Sequence, residues 1–463
     1  MRPTIPFVET YKLFSGKLSF NELMDDGYQM FKDKGFGGFY SFGQPVLLVC
    51  DPNLIQQMLI KDFASFHDHS FSVDPENDPL NANLFNVTGK RWNRLRSKLS
   101  PTFTSGKIKA MFPLVHECVQ QLQDCVREES SRQNGSVEML NLLMRFCADV
   151  IGTCAFGINC HCLKNPDAEF QHMGREMLTT SFRNFIQFFI QSTCPKMSKY
   201  VTARQIFPKT SAFFTDLMSS TVKYRRENKV ERKDFVQLMM QISDEDDKFF
   251  NQDIMTAQAM IFFIAGLDNI ANQVGFCLHE MALNPVLQEN VYNEIIRVMA
   301  EFDGEINYEA VKKMDLVSRV LDEGLRKYTP SGFLMREQTA DSYQIPGTDV
   351  VLKRGTSVLI PMQSIHLDGK YFPEPQKFDP GRFTEEVKSQ RHPFAYLPFG
   401  EGPRFCIASR FAKLELRLCF AELVRRFKFE VDPKTDLSLT LNKSSFSPTP
   451  IKGFWLKVTE RVA

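Results

Sequence analysis

The sequence has almost no net charge, little tryptophan and no obvious internal boundary. Its 463 residues include 56 basic and 55 acidic side chains, and only two of its aromatic residues are Trp. A formal charge of +1 lacks the basic excess that is typical of nucleic-acid-binding proteins. No repeat, low-complexity tract or Ser/Gly-rich linker divides the chain. We therefore expect a single domain spanning residues 1–463.

The eleven cysteines lack the spacing of a zinc or disulfide-exchange motif. There is no C-x-x-C pair, and the closest two cysteines are Cys160 and Cys162. Because an odd number cannot all pair, the count favours a reducing, cytosol-facing environment. The first twenty residues also contain no apolar run long enough to predict a signal peptide or a membrane anchor.

One internal stretch, residues 254–279, is long enough to cross a bilayer and carries a single formal charge, Asp268. Asp268, Asn269, Asn272 and Gln273 cluster at its middle, where polar groups are most costly in a membrane. The pattern therefore favours a buried core helix over a membrane span, with Asp253 as its N-cap and its end at Asn284.

Strand signals lie near both ends of the chain and helical signals lie between them. GGFYSFG and QPVLLVC predict two short strands, and Asp51-Pro52 then predicts the start of a helix. The pattern is mostly helical from Gly89 to Arg326. Near the C-terminus, LSLTL and IKGFWLKV flank a Ser/Pro-rich turn and predict a hairpin. The expected fold class is mainly α with small β-sheets, an α+β fold.

One cysteine has a distinctive setting. Cys406 lies in LPFGEGPRFCIASRFAKLELRL, after Gly400, Gly402 and Pro403 and before an amphipathic helix. A thiolate at a helix N-terminus is stabilised by the helix dipole and by free N–H groups, and it can bind a metal from one open face. Taken alone, such a cysteine is as readily explained as a small buried hydrophobe.

Five motifs occur in order and cover most of the chain. They are Trp92-x-x-x-Arg96, AGLDN at residues 265–269, Glu323-x-x-Arg326, Pro380-x-Arg382-Phe383, and a loop with Phe399, Gly400, Arg404, Cys406 and Ala408. Any one is weak, since E-x-x-R alone is ordinary helix-surface chemistry. Together they resemble the cytochrome P-450 superfamily of haem-thiolate enzymes. The resemblance implies a triangular helical body with a long central helix over the haem.

The resemblance also implies roles for individual residues. Cys406 would be the axial thiolate on the haem iron. The haem would be held by a set of residues from several motifs: Trp92, Arg96, Ala265, Gly266, Arg336, Phe399, Gly400 and Arg404. Of these, the cationic and indole side chains would bind the propionates, and Ala265 and Gly266 would leave room for oxygen where the helix loosens locally. Glu323, Arg326 and Arg382 would form a buried ion network that supports the cysteine loop.

Two residues of the central helix are the implied catalytic residues. Asp268 would relay protons, unless a neighbour simply satisfies its carboxylate. Asn269 stands where most monooxygenases of the superfamily have Thr, and a carboxamide is a poorer proton conduit. The leading interpretation is a monooxygenase. An isomerase or dehydratase that acts on a pre-oxygenated or aldoxime substrate without O2 is the alternative, and a non-catalytic haem or ligand binder is a third.

Segments around these motifs look like the clan that contains vertebrate drug-metabolising enzymes and insect detoxification families six and nine. That likeness implies a lipophilic substrate in an aromatic pocket. The expected pocket residues are Phe85, Phe262, Phe263, Phe333, Leu334 and Phe446. Each has an ordinary core role as its alternative.

The resemblance finally implies partners and a location. Electrons would come from NADPH through NADPH–cytochrome P-450 reductase, with cytochrome b5 as a further candidate partner. The reductase would dock on a run of basic residues: Lys90, Arg91, Arg94, Arg96 and Lys98. The alternative is that this run is a solvated charged face without a partner. Phe182, Phe185 and Phe189 would form a membrane-dipping lid or core packing. We expect the cytosolic face of the endoplasmic reticulum membrane, and an anchor preceding Met1.

Overall fold

The computed structural model describes residues 12, 16–41, 44–70, 73–178, 202–445 and 447–461. The helices of the N-terminal part are α1 (Phe20–Phe31), α2 (Pro52–Gln56), α3 (Gly89–Leu99) and α4 (Ser105–Arg132). Those of the middle part are α5 (Met139–Ile151), α6 (Glu169–Leu178), α7 (Ala203–Ile206), α8 (Pro208–Asn228), α9 (Phe235–Glu245) and α10 (Gln252–Leu283). Those of the C-terminal part are α11 (Pro285–Ala300), α12 (Tyr308–Lys313), α13 (Asp315–Lys327), α14 (Met362–His366), α15 (Glu385–Gln390) and α16 (Ser409–Arg426).

The strands form three small sheets. In chain order they are β1 (Phe36–Ser41), β2 (Gln44–Val49), β3 (Ser136–Glu138), β4 (Leu334–Glu337), β5 (Ser342–Gln344), β6 (Val351–Lys353), β7 (Ser357–Ile360), β8 (Phe427–Val431) and β9 (Trp455–Glu460). The first sheet has the order β1-β2-β7-β4, with β2 and β7 parallel; the others are β3-β9-β8 and β5-β6. A mainly α fold with small sheets from both ends is confirmed.

The expected C-terminal hairpin is present only next to its turn. β9 pairs with β8 and with β3, while the LSLTL segment is not a strand. Leu439 in that segment has φ +47°, a left-handed conformation that interrupts an extended strand. An antiparallel bridge between Leu441 and Pro450 and a hydrogen bond from the Ile451 N–H to the Thr440 carbonyl close the turn that follows. We call residues 441–450 the C-terminal turn.

Helix α10 passes through the larger hydrophobic core and contacts α5, α8, α13 and α16. Its N-cap is Asn251, whose side chain accepts the N–H of Ile254, and not Asp253 as the sequence suggested. Asp253 lies in the first turn and pairs with Arg204. The predicted helix end at Asn284 is confirmed, and Asn284 also caps α11.

Two helices in the described part of the chain are long and apolar enough to cross a membrane. They are Met139–Phe156 and Gln252–Leu283, and 89% and 61% of their most apolar windows are buried inside the molecule. Burial of this kind is typical of core helices as well. The packing of α10 therefore supports the core-helix interpretation of residues 254–279.

Candidate active site

The middle of α10 has accessible positions on an otherwise largely buried helix. Ala265 is exposed although buried residues precede and follow it on this core helix, and Asp268 and Asn269 are half-buried. The helix remains α-helical throughout, so the expected local loosening is absent. A Cβ on Gly266 would lie 3.0 Å from Ile151 Cδ1. Its lack of a side chain therefore also allows close packing of α10 on α5.

The loop that carries Cys406 is shaped by two glycines. Gly400 and Gly402 have φ +71° and +79°, and a Cβ on Gly402 would lie 2.2 Å from the carbonyl oxygen of Leu59. The loop returns so that the Cys406 N–H donates to the carbonyl of Phe399 at 2.9 Å. Helix α16 starts three residues later, at Ser409. The loop thus places the thiol just before the helix N-terminus, as the sequence predicted.

The Cys406 thiol is held in an interior position but keeps some accessible surface. Burial raises its pKa above the ordinary value, while the Ala408 N–H and the Arg96 guanidinium oppose that rise. The helix N-terminus thus acts on the thiol in the expected direction, while desolvation acts against it and is the larger effect in the free thiol. Ala408 has φ −90°, which any residue adopts, so its extra methyl costs no backbone strain.

A cluster of cationic side chains lies near the thiol. Arg336 on β4 is only 2% exposed, its Nε has no hydrogen-bond partner among the described residues, and burial lowers its pKa to about 10. Arg404 lies 4.1 Å above the Trp92 ring, and burial lowers its pKa to about 9. Arg96 lies 5.0 Å from the Phe405 ring. Arg404 pairs with Asp68 at 3.2 Å, whereas Arg336 and Arg96 have no ion pair among the described residues. A buried guanidinium group without an anionic partner is suited to holding a carboxylate.

His69 is a member of this cluster that the sequence patterns did not reveal. It is buried, its Nδ1 is 2.9 Å from the carbonyl oxygen of Phe85, and the rings of the two residues are 4.5 Å apart. Burial together with the nearby Arg336 and Arg404 charges lowers its pKa well below the ordinary value. His69 belongs to no recognisable sequence motif. Its place in the cluster depends on β4 and the cysteine loop, which carry Arg336 and Arg404 and are distant from it in the sequence.

The residues present fit haem. Cys406 offers a soft sulfur ligand on a partly exposed residue, Ala265 provides a small exposed residue on α10, and Arg336 retains an unsatisfied buried donor. Trp92 and Arg96 are four residues apart on α3 and therefore share the face toward this site. Phe399 and Gly400 shape the loop around the ligand.

The expected ion network of Glu323, Arg326 and Arg382 is present. Arg326 donates to both Glu323 oxygens at 2.6 and 2.8 Å, and both side chains are fully buried. Arg382 Nε lies 3.4 Å from Glu323 Oε1. Arg326 also donates to the carbonyls of His366 and Pro375. Each remaining polar atom of this pair thus has a partner, as a buried ion pair requires.

His366 connects the ion network to the cysteine loop. Its Nε2 accepts the N–H of Leu397 at 2.9 Å, so Nδ1 carries the hydrogen and faces the Thr329 hydroxyl at 2.8 Å. Tyr396 donates to the carbonyl of Asp322 on α13. These bonds fix residues 396–397, which immediately precede the motif that begins at Pro398.

The two candidate catalytic residues differ in their surroundings. Burial raises the pKa of Asp268, and the Arg175 charge opposes that rise. Asn269 Nδ2 donates to the Ala265 carbonyl at 2.8 Å, and its Oδ1 accepts the Ser447 hydroxyl at 2.9 Å. Burial thus favours the protonated form of Asp268, whereas Asn269 is engaged in hydrogen bonds to the protein.

The expected pocket residues separate into several environments. Phe263 is fully buried against Phe170 and Phe214, so it is a core residue and does not line the pocket. Phe262 is half-buried and packs on Phe103 and Phe235. Neighbouring helix residues point about 100° apart, so Phe262 and Phe263 pack against different neighbours, and the sequence could not tell which of them is enclosed.

The remaining expected pocket residues lie closer to the arginine cluster. Phe85 is 47% exposed beside His69, and half-buried Leu334 on β4 lies against Gly400. Phe333 is buried with its ring 5.9 Å from that of Phe20. Phe446 lies outside the described residues, as do Phe182, Phe185 and Phe189.

Part of the basic run is neutralised within the chain. Asp246 accepts from Arg94 at 2.5 Å and lies 3.2 Å from Lys98, and both cations lie on α3. Arg91 and Arg94 also approach the Phe249 ring. Lys90 and Arg91 are therefore the residues of this run with the least ionic compensation among described residues.

Comparison with known proteins agrees with the geometry. The family model described as Cytochrome P450 matches residues 3–457. Probable cytochrome P450 6a14 of Drosophila melanogaster is 38% identical over 476 aligned residues, 99% of this chain and 93% of that protein. Cytochrome P450 9e2 of Blattella germanica is 37% identical over 99% of this chain and 92% of its own length. The likeness to insect families six and nine is thus confirmed, and the chain belongs to the cytochrome P450 family of haem-dependent monooxygenases.

Proposed function

We propose that this enzyme inserts one oxygen atom from O2 into lipophilic small molecules, with electrons from NADPH delivered by a flavoprotein reductase. The observation that carries the proposal is that one chain combines the thiol loop of Cys406 with a core helix, α10, on which exposed Ala265 and a half-buried acid, Asp268, lie three residues apart. Half-buried Leu334 and exposed Phe85 support an apolar substrate. The whole of residues 1–463 would act as one catalytic domain.

Haem held by Cys406 would supply oxygen activation and one-electron chemistry. Arg336, Arg404, Arg96 and Trp92 would bind its propionates, and this would supply an anion to Arg336, whose Nε lacks a partner among the described residues. The Glu323–Arg326 pair and His366 would hold the cysteine loop in place.

Asp268 would store a proton beside the site. Its burial favours the protonated carboxyl, and the Arg175 charge keeps ionisation accessible, so the acid is able to release and regain a proton. Asn269 would not act as a second proton donor. Its position is explained by its bonds to Ala265 and Ser447, so an isomerase or dehydratase activity is not needed to account for it.

The reductase would dock on the surface near α3, through Lys90 and Arg91, with cytochrome b5 as a second donor at an overlapping surface. Such contacts weaken with salt. We place the enzyme on the cytosolic face of the endoplasmic reticulum membrane, in line with its reductase partner.

The test is turnover of a lipophilic probe such as an alkoxycoumarin by holoenzyme with NADPH, O2 and reductase. We expect product only when all three are present, a reduced carbon-monoxide complex with the red-shifted thiolate Soret band, and loss of both in Cys406→Ala. Conversion of a fatty hydroperoxide or an aldoxime without NADPH, together with no NADPH-dependent product from a panel of lipophilic probes, would overturn the proposal in favour of the isomerase or dehydratase.

A further inference from the structure

The C-terminal turn is attached to α10 by two carboxamide–hydroxyl pairs. Ser447 donates to Asn269 Oδ1 at 2.9 Å, and Asn272 Nδ2 donates to the Thr449 hydroxyl oxygen at 3.1 Å. The Thr449 hydroxyl in turn donates to the Ser447 carbonyl at 3.1 Å. These bonds join segments that are 178 and 177 residues apart in the chain.

The orientation of the Asn269 carboxamide is determined by its surroundings. Its nitrogen lies 2.8 Å from the Ala265 carbonyl, which can only accept, so the atom facing Ala265 must be the donor Nδ2. The oxygen then faces Ser447, whose hydroxyl must donate. Without that hydroxyl, Oδ1 would lose its partner at a site where Ser447 is only 8% exposed.

This attachment lies beside the exposed part of α10. Ala265, Asn269 and Asn272 are spaced by four and three residues and therefore share one helix face. Ala265 is the exposed residue of that face, and Asn269 is half-buried one turn farther on. The turn side has Ser447, Pro448 and Pro450 buried, so it meets the helix closely beside the exposed Ala265.

We infer that Ser447 is a positioning residue: through Asn269 it holds the C-terminal turn as a wall of the substrate cavity, and so it limits the width of lipophilic ligands beside Ala265. The inference rests on the proposed function only for the statement that the ligands are substrates. The wall itself depends on the hydrogen bonds and on the shared helix face.

The turn provides matched variants. Ser447→Ala removes the hydroxyl that binds Asn269, and Ser447→Thr restores it. Ser445→Ala is the control, because the Ser445 hydroxyl lies on the same turn but contacts Thr449, at 3.3 Å, and not Asn269. Asn269→Ala and the double variant with Ser447→Ala test whether the two side chains act as one unit.

The first measurement is thermal unfolding of each holoenzyme. Ser447→Ala and Asn269→Ala are each expected to lower the unfolding midpoint. The midpoint of the double variant is expected to be no lower than that of the less stable single variant. Hydrogen exchange in the peptide spanning residues 441–450 should rise in Ser447→Ala and stay near wild type in Ser447→Thr. Additive losses in the double variant would overturn the coupling.

The second measurement is spectral titration with imidazole and with the bulkier 4-phenylimidazole. We expect Ser447→Ala to favour 4-phenylimidazole, with the ratio of the two Kd values shifting at least about fivefold, since about 1 kcal/mol is a factor of five in binding. Ser447→Thr and Ser445→Ala should stay within about twofold of wild type on the same scale.

An unchanged ratio in Ser447→Ala, a shift toward imidazole, or an equal shift in Ser445→Ala would overturn the inference. None of these readouts requires turnover. If the wild-type enzyme failed to oxidise any probe while the ratio shifted as expected, the proposed reaction would fail and the positioning role of Ser447 would stand.

Discussion

Two fully buried arginines in this enzyme have opposite surroundings. Arg326 donates to both oxygens of Glu323 and to the carbonyls of His366 and Pro375. Arg336 donates to the Met335 carbonyl, while its Nε has no partner in the described part of the chain. A buried guanidinium cannot neutralise itself by losing a proton, so an unsatisfied one calls for an anion. The hydrogen bonds of Arg326 are satisfied by the protein, whereas those of Arg336 would be satisfied by a bound anionic group.

Glu415 extends the comparison to a carboxyl group. It is buried on α16, its Oε1 has no hydrogen-bond partner among described residues, and burial raises its pKa to about 8. Glu323, in contrast, has Arg326 and Arg382 beside it. An unpartnered carboxyl can take up a proton, whereas Arg336 keeps its charge. Only the arginine therefore depends on an external anion.

The largest effect is expected from breaking the completed network. Arg326→Leu leaves the Glu323 carboxylate buried without its main partner, and such a loss costs about 3–5 kcal/mol. We expect little folded protein, which circular dichroism and expression yield would show. Arg319→Ala removes an exposed pair with Asp315 on the same helix and should leave the unfolding midpoint almost unchanged. Normal folding of Arg326→Leu would contradict the comparison.

Acid should weaken the same network through His366. Burial, with the Arg326 and Arg391 charges, lowers its pKa to about 3, against about 6.5 for an exposed imidazole. Between about pH 6.5 and pH 3 the unfolded chain therefore binds a proton at His366 and the folded protein does not. The free energy of unfolding consequently falls by about 1.4 kcal/mol for each pH unit below about pH 6.5.

The measurement is the unfolding midpoint of wild type and His366→Gln between about pH 7.5 and pH 4.5. The variant can still accept the Leu397 N–H but has no titrating ring, so it should lose less stability across this range. Since the pKa values of His69 and His279 are also lowered, some acid sensitivity should remain. Parallel curves for the two proteins would contradict the role of His366.

A rise in pH should destabilise the folded protein through Glu415, whereas a fall in pH does so through His366. Because its folded-state pKa lies above the ordinary value of about 4.5, the stability it contributes is complete below that value and declines as the pH rises through about 8. Glu415→Gln removes this dependence and should gain about 3 kcal/mol near pH 8 relative to pH 5. An equal difference between variant and wild type at both pH values, measured by thermal unfolding, would be inconsistent with an unpartnered carboxyl.

The smallest effect on folding is expected at Arg336. Arg336→Leu removes an uncompensated buried charge, so the unfolding midpoint of the apoprotein should be unchanged or higher. Haem should dissociate about tenfold faster, equivalent to about 1.4 kcal/mol, because a propionate loses its guanidinium partner. Transfer of haem to apomyoglobin measures the rate. A large loss of apoprotein stability with an unchanged rate of haem dissociation would contradict this prediction, because it would mean that Arg336, like Arg326, stabilises the fold.

Local sequence was sufficient for features that depend on neighbours along the chain. The Glu323–Arg326 spacing predicts a pair on one helix face, and that pair is present. Asp51 caps α2 as predicted, because a carboxylate before a proline can accept the N–H groups of the first turn. The sequence also placed Cys406 just before an amphipathic helix, and α16 begins three residues after it.

Features that depend on distant segments could not be predicted in this way. Phe263 is a core residue because α6 and α8 place Phe170 and Phe214 against it. Arg94 and Lys98 form ion pairs because Asp246, about 150 residues away, reaches α3. The partner of β9 is β8 and not the nearer LSLTL segment. In each case the contact that decides the outcome joins residues far apart in the sequence, and the local spacing of residue types does not predict such contacts.

The sequence by itself determined the family, the helical class of the fold, the cysteine expected to bind iron and the pairing within each short motif, because each is recorded in residue types at fixed local spacing. The tertiary structure alone decided which buried charges the protein satisfies, which phenylalanines pack in the core, and that Ser447 binds Asn269. Those properties depend on the surroundings of each atom, and the surroundings are set by segments brought together only when the chain folds.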